Sequence, residues 1–319
     1  MVNVDTLSCL DFLLWLRTGE AAAAKLQVAQ STICRQARKA ASQLGLTTYK
    51  EQSEWFLSGD TTLLNLEREV HQEYRWRKNL PLRLEAQYYS GPLYCNGQSN
   101  LWISGNFNFL EIQTPLMHLR DGVIDAWIGC HPDVPEAEDA DLCCFPLTRL
   151  PVHLVVAHDH PLSRHDGPLT LRDLQAFPSL ALPDGAFPKV QACLQALGLW
   201  NSASSIRRYD HSQWEGRIAT DLVVGYATVF SEHLFDRPQV RLPVQVPLTV
   251  GDTLVVKRRY GDHPRLQALL TRLQTRACQL AASHPEVKLA FSASEQPAPE
   301  EPQPSQAQLA KAPPAPPRP

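Results

Sequence analysis

The chain has 319 residues, with 30 Lys and Arg against 33 Asp and Glu and 44% hydrophobic residues, the size of two or three domains of ordinary globular composition. The formal charge of -3 neither supports nor excludes nucleic acid, which needs only a local basic face. Met1 to Cys9 carries no secretory signature and no apolar run approaches the ~18 residues of a membrane span, so a cytoplasmic protein is expected.

Residues 1–59 read as short helices broken by Gly19, Gly45 and Gly59. Leu7, Leu10 and Leu14, with Leu13 and Leu16 beside them, make the apolar face of a first helix, and Ala21–Leu26 reads as a short second one. A third runs from Ser31 to Leu44 and is closed by Gly45. Ile33, Ala37, Ala40 and Leu44 recur at helical spacing and should face a core. Ser31, Arg35, Arg38 and Ser42 fall on the opposite face with Lys39 adjacent, giving three cations and no anion. Such a helix suits a DNA major groove. Gln30, Ser31 or Thr32 can reach base edges, and Arg35, Arg38 and Lys39 can engage phosphate or guanine. The competing reading is the solvated face of a purely structural three-helix domain.

Residues 60–80 read as one connecting helix stopped by Pro81. Leu63, Leu66, Val70 and Tyr74 form a seam at steps of three and four, which fits a dimer interface or a helix packed on its own domain. Residues 82–290 alternate strand-like and helical stretches. The strand candidates are Ile124–Gly129, Val152–Ala157, Leu222–Ala227 and Thr253–Val256, continuous apolar runs that suggest parallel strands covered on both faces. The helical candidates are Leu169–Ala176, Phe187–Leu197 and Pro264–Ala282, which together with the strands make an α/β signature. Residues 291–319 hold 9 of the 26 prolines and read as a disordered tail.

The order of the N-terminal elements resembles that of LysR-type transcriptional regulators. The resemblance is carried by Ala23-Ala24-Lys25-Leu26 through Ser31, by Cys34-Arg35-Gln36, and by Leu57-Ser58-Gly59-Asp60 followed by Leu63-Leu64. Farther on it is carried by Leu116 to Gly129, by Leu154 to Leu162 with its His160-Pro161, by Leu169 to Leu174, and by His263-Pro264. The resemblance implies an α+β multidomain chain: a winged helix-turn-helix over 1–59, a linker and dimerisation helix over 60–80, and a periplasmic-binding-protein-like effector domain over 82–290. That domain would be two α/β subdomains, the second about 150–250, around a ligand cleft. It also implies double-stranded DNA, a small-molecule effector and a homodimer or homotetramer as partners, with no cofactor and no membrane. Gln36 and the wing residue Lys50 join the DNA-contact candidates on this basis. The wing also carries Glu51 and Glu54, where the family often has arginines.

The family's helix and second strand of the first subdomain have no clear counterpart between Leu82 and Leu116. If Leu101–Ser104 is the first strand, then Ser104, Asn106 and Asn108 follow it and could bind an anionic effector, with His131 lining the same cleft. An ordinary polar loop and a surface histidine are the alternatives. No nucleophile elbow, phosphate loop, dinucleotide fingerprint or zinc-protease motif is present, so an enzyme is not expected. His158, His160 and His165 are read without metal, and Cys143-Cys144 as buried thiols. Two functional readings remain: a dimeric DNA-binding sensor, or a ligand-binding module with degenerate DNA binding that acts through a protein partner.

Overall fold

A computed structural model describes residues 2–95, 101–165, 167–204, 206–234 and 238–292. The proline-rich tail assigned to 291–319 lies, beyond its first two residues, outside the described residues. The chain starts with α1 (Val4–Leu16), whose N-cap Asn3 side chain accepts from the Asp5 amide. Thr18 caps α2 (Gly19–Leu26) in the same way, through Ala21. Next comes α3 (Gln30–Gln43), with Ile33, Ala37, Ala40 and Ala41 buried against α1. The antiparallel pair β1 (Thr47–Glu51) and β2 (Glu54–Ser58) forms the wing. It leads into the linker helix α4 (Thr62–Arg77).

The first subdomain contains β3 (Leu82–Ala86), the single turn α5 (Gly91–Tyr94), β4 (Trp102–Ser104), α6 (Gln113–Arg120), β5 (Ala126–His131) and β6 (Leu142–Pro146). The chain crosses into the second through β7 (Thr148–Ala157), followed by α7 (Leu171–Leu174), β8 (Leu180–Ala181), α8 (Pro188–Ala196), β9 (Ser202–Ala203), α9 (Glu215–Thr220) and β10 (Gly225–Ala227). It returns along the long β11 (Gln239–Lys257) and closes with α10 (Pro264–Ser283) and β12 (Lys288–Leu289). Strand order through the main sheet is β10-β7-β11-β5-β3-β4. Only β3 pairs in parallel there, with β4 and β5; β11 runs antiparallel to β5, β6 and β7. The apolar runs therefore mark strands buried on both faces but not a wholly parallel sheet, because burial is set by the layers above and below rather than by strand direction.

Two expectations need correction. The first strand of the sensor is β3, and the segment around Leu101–Ser104 is the second, paired to it in parallel. In β3, Leu82, Leu84 and Ala86 alternate with Arg83 and Glu85, a pattern that reads as half solvated, yet all five residues are buried. The reason lies on the other face of the sheet. Among the described residues the link from β3 to β4 holds no helix longer than α5, which packs with Leu82, Leu84 and Ala86 on one face of the sheet and leaves the other face to be covered from elsewhere. The N-terminal domain fills the place. Trp127 of β5 and Val255 of β11 pack in one cluster with Leu10, Phe12, Leu13 and Trp15 of α1.

Buried charge fixes this docking. Asp11 of α1 accepts from Arg68 Nε of α4 at 2.8 Å and from Arg83 of β3 at 3.1 Å. Burial alone would raise the Asp11 carboxyl, but Arg68 and Arg83 outweigh it and hold the group below the usual range. Asp125 accepts from Gln72 at 3.0 Å, from Arg75 at 3.1 and 3.2 Å and from the Arg83 amide at 2.9 Å. Head, linker and sheet thus share one hydrogen-bonded network. Removing one member leaves uncompensated buried charge, so Asp11→Ala should lower stability by about 3–5 kcal/mol, read as a shift in the urea unfolding midpoint.

Candidate functional site

The outer face of α3 is open. Gln30, Ser31, Arg35, Arg38 and Lys39 are exposed, and Thr32 and Gln36 are half-buried. Gln36 Oε1 accepts from the Thr6 hydroxyl at 3.3 Å, which ties it to α1. The Arg38 guanidinium lies 5.7 Å from the Trp55 ring centre and so rests on the wing. Lys50 is exposed on β1, in register with Trp55. Ala29 at the N-cap supplies no side-chain acceptor; the Thr32 amide donates to the Ala29 carbonyl at 2.9 Å, leaving the Gln30 and Ser31 N–H groups to solvent or to a phosphate. Ser31, Arg35, Arg38 and Lys39 share one basic surface with Lys50 on the adjoining wing, whereas Gln36 turns to α1 and Gln30 lies against Gly19 of α2.

The wing acids face away from that surface. Glu54 accepts from Arg17 at 3.0 Å and from Arg208 of the second subdomain at 2.9 Å, and Glu51 lies 4.0 Å from Arg207. Arg208 also stacks on Phe109, 4.1 Å from its ring centre, and donates to Asn108. Beside it, the Tyr209 ring stacks on Tyr88 at 4.1 Å.

The two subdomains join where the chain passes through 146–150 and 250–253. There the strands touch so closely that a Cβ on Gly251 would run into the Thr148 carbonyl oxygen. The Thr148 hydroxyl donates to Asp252 at 2.8 Å, and burial raises the Asp252 carboxyl to about 6. In front of this crossover lies a cleft of about 120 Å³, open on one side to solvent. Tyr88, Tyr89 and Cys130 form one wall; Phe187, Trp200, Trp214 and Tyr226 dominate the other, with Val152, Leu248 and Val250 at its floor. Burial pushes the Cys130 thiol up to about 12.

None of Ser104, Asn106, Asn108 and His131 lines this cleft. Asn108 serves Arg208, and His131 ends β5 at the bond to Pro132. The exit of β4 already holds an anion of the protein's own. Glu85 Oε1 accepts from the Ala86 and Phe107 amides at 3.0 and 3.2 Å, and Trp15 Nε1 donates to Oε2 at 2.6 Å. Gly105 leaves room for that carboxylate, because a Cβ there would collide with it. The cleft residues were missed because Tyr88, Trp200, Trp214 and Tyr226 come from four segments with no shared motif. A recognised strand at Leu82–Ala86 would have pointed to the first, since ligands gather beyond strand ends. His160 is a fully buried cap whose Nδ1 accepts from the Leu162 amide at 3.1 Å; His263 caps α10 alike through Arg265. No disulfide joins any of the eight cysteines, and among the described residues no group of His, Cys, Asp and Glu is placed to hold a metal ion.

A winged helix-turn-helix joined by a helix to two α/β subdomains around a cleft is the architecture of a ligand-responsive regulator. Residues 109–278 match the family model described as LysR substrate binding domain, and the chain belongs to the LysR family. The fold is similar to that of a full-length OxyR variant from Pseudomonas aeruginosa, with 18% identity over 93% of this chain and 99% of that one and a TM-score of 0.56. It is also similar to a probable transcriptional regulator from the same organism, with 14% identity, 86% and 96% coverage and a TM-score of 0.53. No curated protein matches the chain in sequence. Among the described residues no helix is long and apolar enough to cross a membrane.

Burial raises the Glu85 carboxyl to about 7 against the three donors that oppose the shift. A raised acid stabilises the fold below its unfolded value near 4.5, and that contribution is lost as pH rises through 7. Relative to Glu85→Gln, the wild type should therefore lose roughly 2 kcal/mol between pH 5 and 8, checked by unfolding both proteins across that range.

Proposed function

We propose that this chain is a transcriptional regulator that binds promoter DNA through α3 as a dimer or tetramer and senses a small molecule in the cleft between its two α/β subdomains. The observation that carries the reading is the free outer face of α3. The head is docked on the sensor through α1, α4 and the wing, yet Ser31, Arg35, Arg38 and Lys39 stay open to solvent with no anion among them. Arg35 and Arg38 then neutralise phosphates or read guanine while Gln30, Ser31 and Thr32 lie nearest the base edges. The family's members being transcription regulators, no catalytic role is assigned.

Dimerisation through α4 has its own support. One side of the helix, with Arg68, Gln72, Arg75 and Trp76, is buried in its own chain. The other leaves Leu63, Leu66, Val70 and Tyr74 exposed by 59%, 57%, 57% and 44%. An apolar stripe at steps of three and four on an otherwise committed helix fits the same stripe of a second copy about a two-fold axis.

A second reading, a ligand-binding module that acts through a protein partner, draws on Glu51 and Glu54, which are engaged with Arg207 and Arg208 and give the wing no added positive charge. Gel-shift titrations separate the two. Arg35→Ala with Arg38→Ala should weaken binding to a promoter fragment by about tenfold or more and flatten the salt slope by roughly two. If affinity and slope stay unchanged, α3 is not the contact. Leu66→Glu or Val70→Glu should convert the dimer to a monomer in light scattering; an unaltered mass would remove α4 as the interface.

A further inference from the structure

The lining of the cleft says more than that something binds there. Among the described residues that line it there is no Asp, Glu, Lys, Arg or His. A carboxylate or phosphate ligand would leave water without meeting a cation, and an ammonium without meeting an anion, at a cost of several kcal/mol in so apolar a site. The nearest buried carboxyls stand behind the walls and are already engaged. Asp252 takes the Thr148 hydroxyl, and Glu215 takes the Tyr209 hydroxyl at 3.1 Å. The lining groups that titrate, the Tyr88, Tyr89 and Tyr226 phenols and the Cys130 thiol, are all pushed upward by burial and stay neutral.

Shape and composition narrow the class further. Tyr88 on one side and Phe187, Trp200, Trp214 and Tyr226 on the other make the lining predominantly aromatic. Rings prefer offset-stacked or edge-on partners, which an aromatic guest supplies and an aliphatic chain does not. A space of about 120 Å³ admits a small molecule and not a peptide segment. The anion-receiving amides at the end of β4 cannot serve a ligand, because Glu85 occupies them.

We infer that the effector is an uncharged, flat aromatic molecule held between the Tyr88 wall and the Trp200–Trp214 wall of the cleft. The inference rests on the reading of this cleft as the sensing site. It sets aside an anionic effector and assigns selection to ring stacking and desolvation, so that a charged analogue of the same ring is rejected because the described lining residues carry no counter-charge.

The test is titration calorimetry of the full chain with three probes that share a ring and differ in charge: naphthylethanol, naphthylacetate and naphthylethylamine. The alcohol should bind about tenfold or more tightly than the acid and the amine. Val152→Phe and Leu248→Phe, which fill the floor, should each weaken the alcohol about tenfold. The three-probe ranking on the wild type stands even if one variant fails to fold. Equal or tighter binding of the acid or the amine, lost in the filled variants, would overturn the uncharged class and keep the cleft. No binding of any probe at millimolar concentration would overturn the aromatic class, whatever the DNA titrations give. Alcohol binding that survives both folded variants unchanged would place the probe elsewhere and overturn the reading of the cleft itself.

Discussion

Much of this structure depends on one buried arrangement of charge. Asp11 on the first helix holds Arg68 of the linker and Arg83 of the sheet, while Asp125 holds Arg75 and Gln72 of the linker and the Arg83 amide. Ion pairs in a core stabilise weakly over an apolar alternative, but they tolerate little displacement, since any shift strands a charge away from water. Here they specify how three pieces of the chain meet. Burial lowers the Arg83 guanidinium to about 10, still far above neutral pH, so it remains a cation where it sits.

The arrangement answers a defect in the sheet. A mostly buried sheet needs a layer on each face, and among the described residues the β3–β4 link offers only the single turn α5, on the face of Leu82, Leu84 and Ala86. The N-terminal helix covers the other face, with Phe12 beneath Arg83 and Trp15 bonded to Glu85. The same surface then cannot also be an independent, freely tumbling head. The wing adds a second point of attachment through Glu54 and Arg208, and Tyr209 beside it stacks on Tyr88 of the cleft wall. A line of packed contacts therefore joins the cleft to the wing within one chain.

At the opposite end of the sensor the two crossings at Thr148 and Gly251 press together, and their mutual hydrogen bonds keep the subdomains at a fixed distance on the cleft floor. The walls come from residues well apart in sequence, Tyr88 to Cys130 on one side and Phe187 to Tyr226 on the other. Their common feature is aromatic area without charge, which makes desolvation of the guest the dominant selecting force.

Local spacing determined a good deal on its own. The stripe of Arg35, Arg38 and Lys39 opposite Ile33, Ala37 and Ala40, the linker seam, and the amphipathic α10 all follow from the 3.6-residue turn, a property of neighbours in the chain. The His160-Pro161 and His263-Pro264 pairs likewise act where they stand, as caps. Only the tertiary structure decided that Arg83 and Glu85 are interior, that Glu54 answers Arg208 across 154 positions, and that Tyr88 meets Tyr209. A charged residue at every second strand position reads as solvated until its partner is known. Partners brought together by folding leave no periodic trace in the sequence, because their pairing depends on which layer covers the sheet and not on the residues beside them.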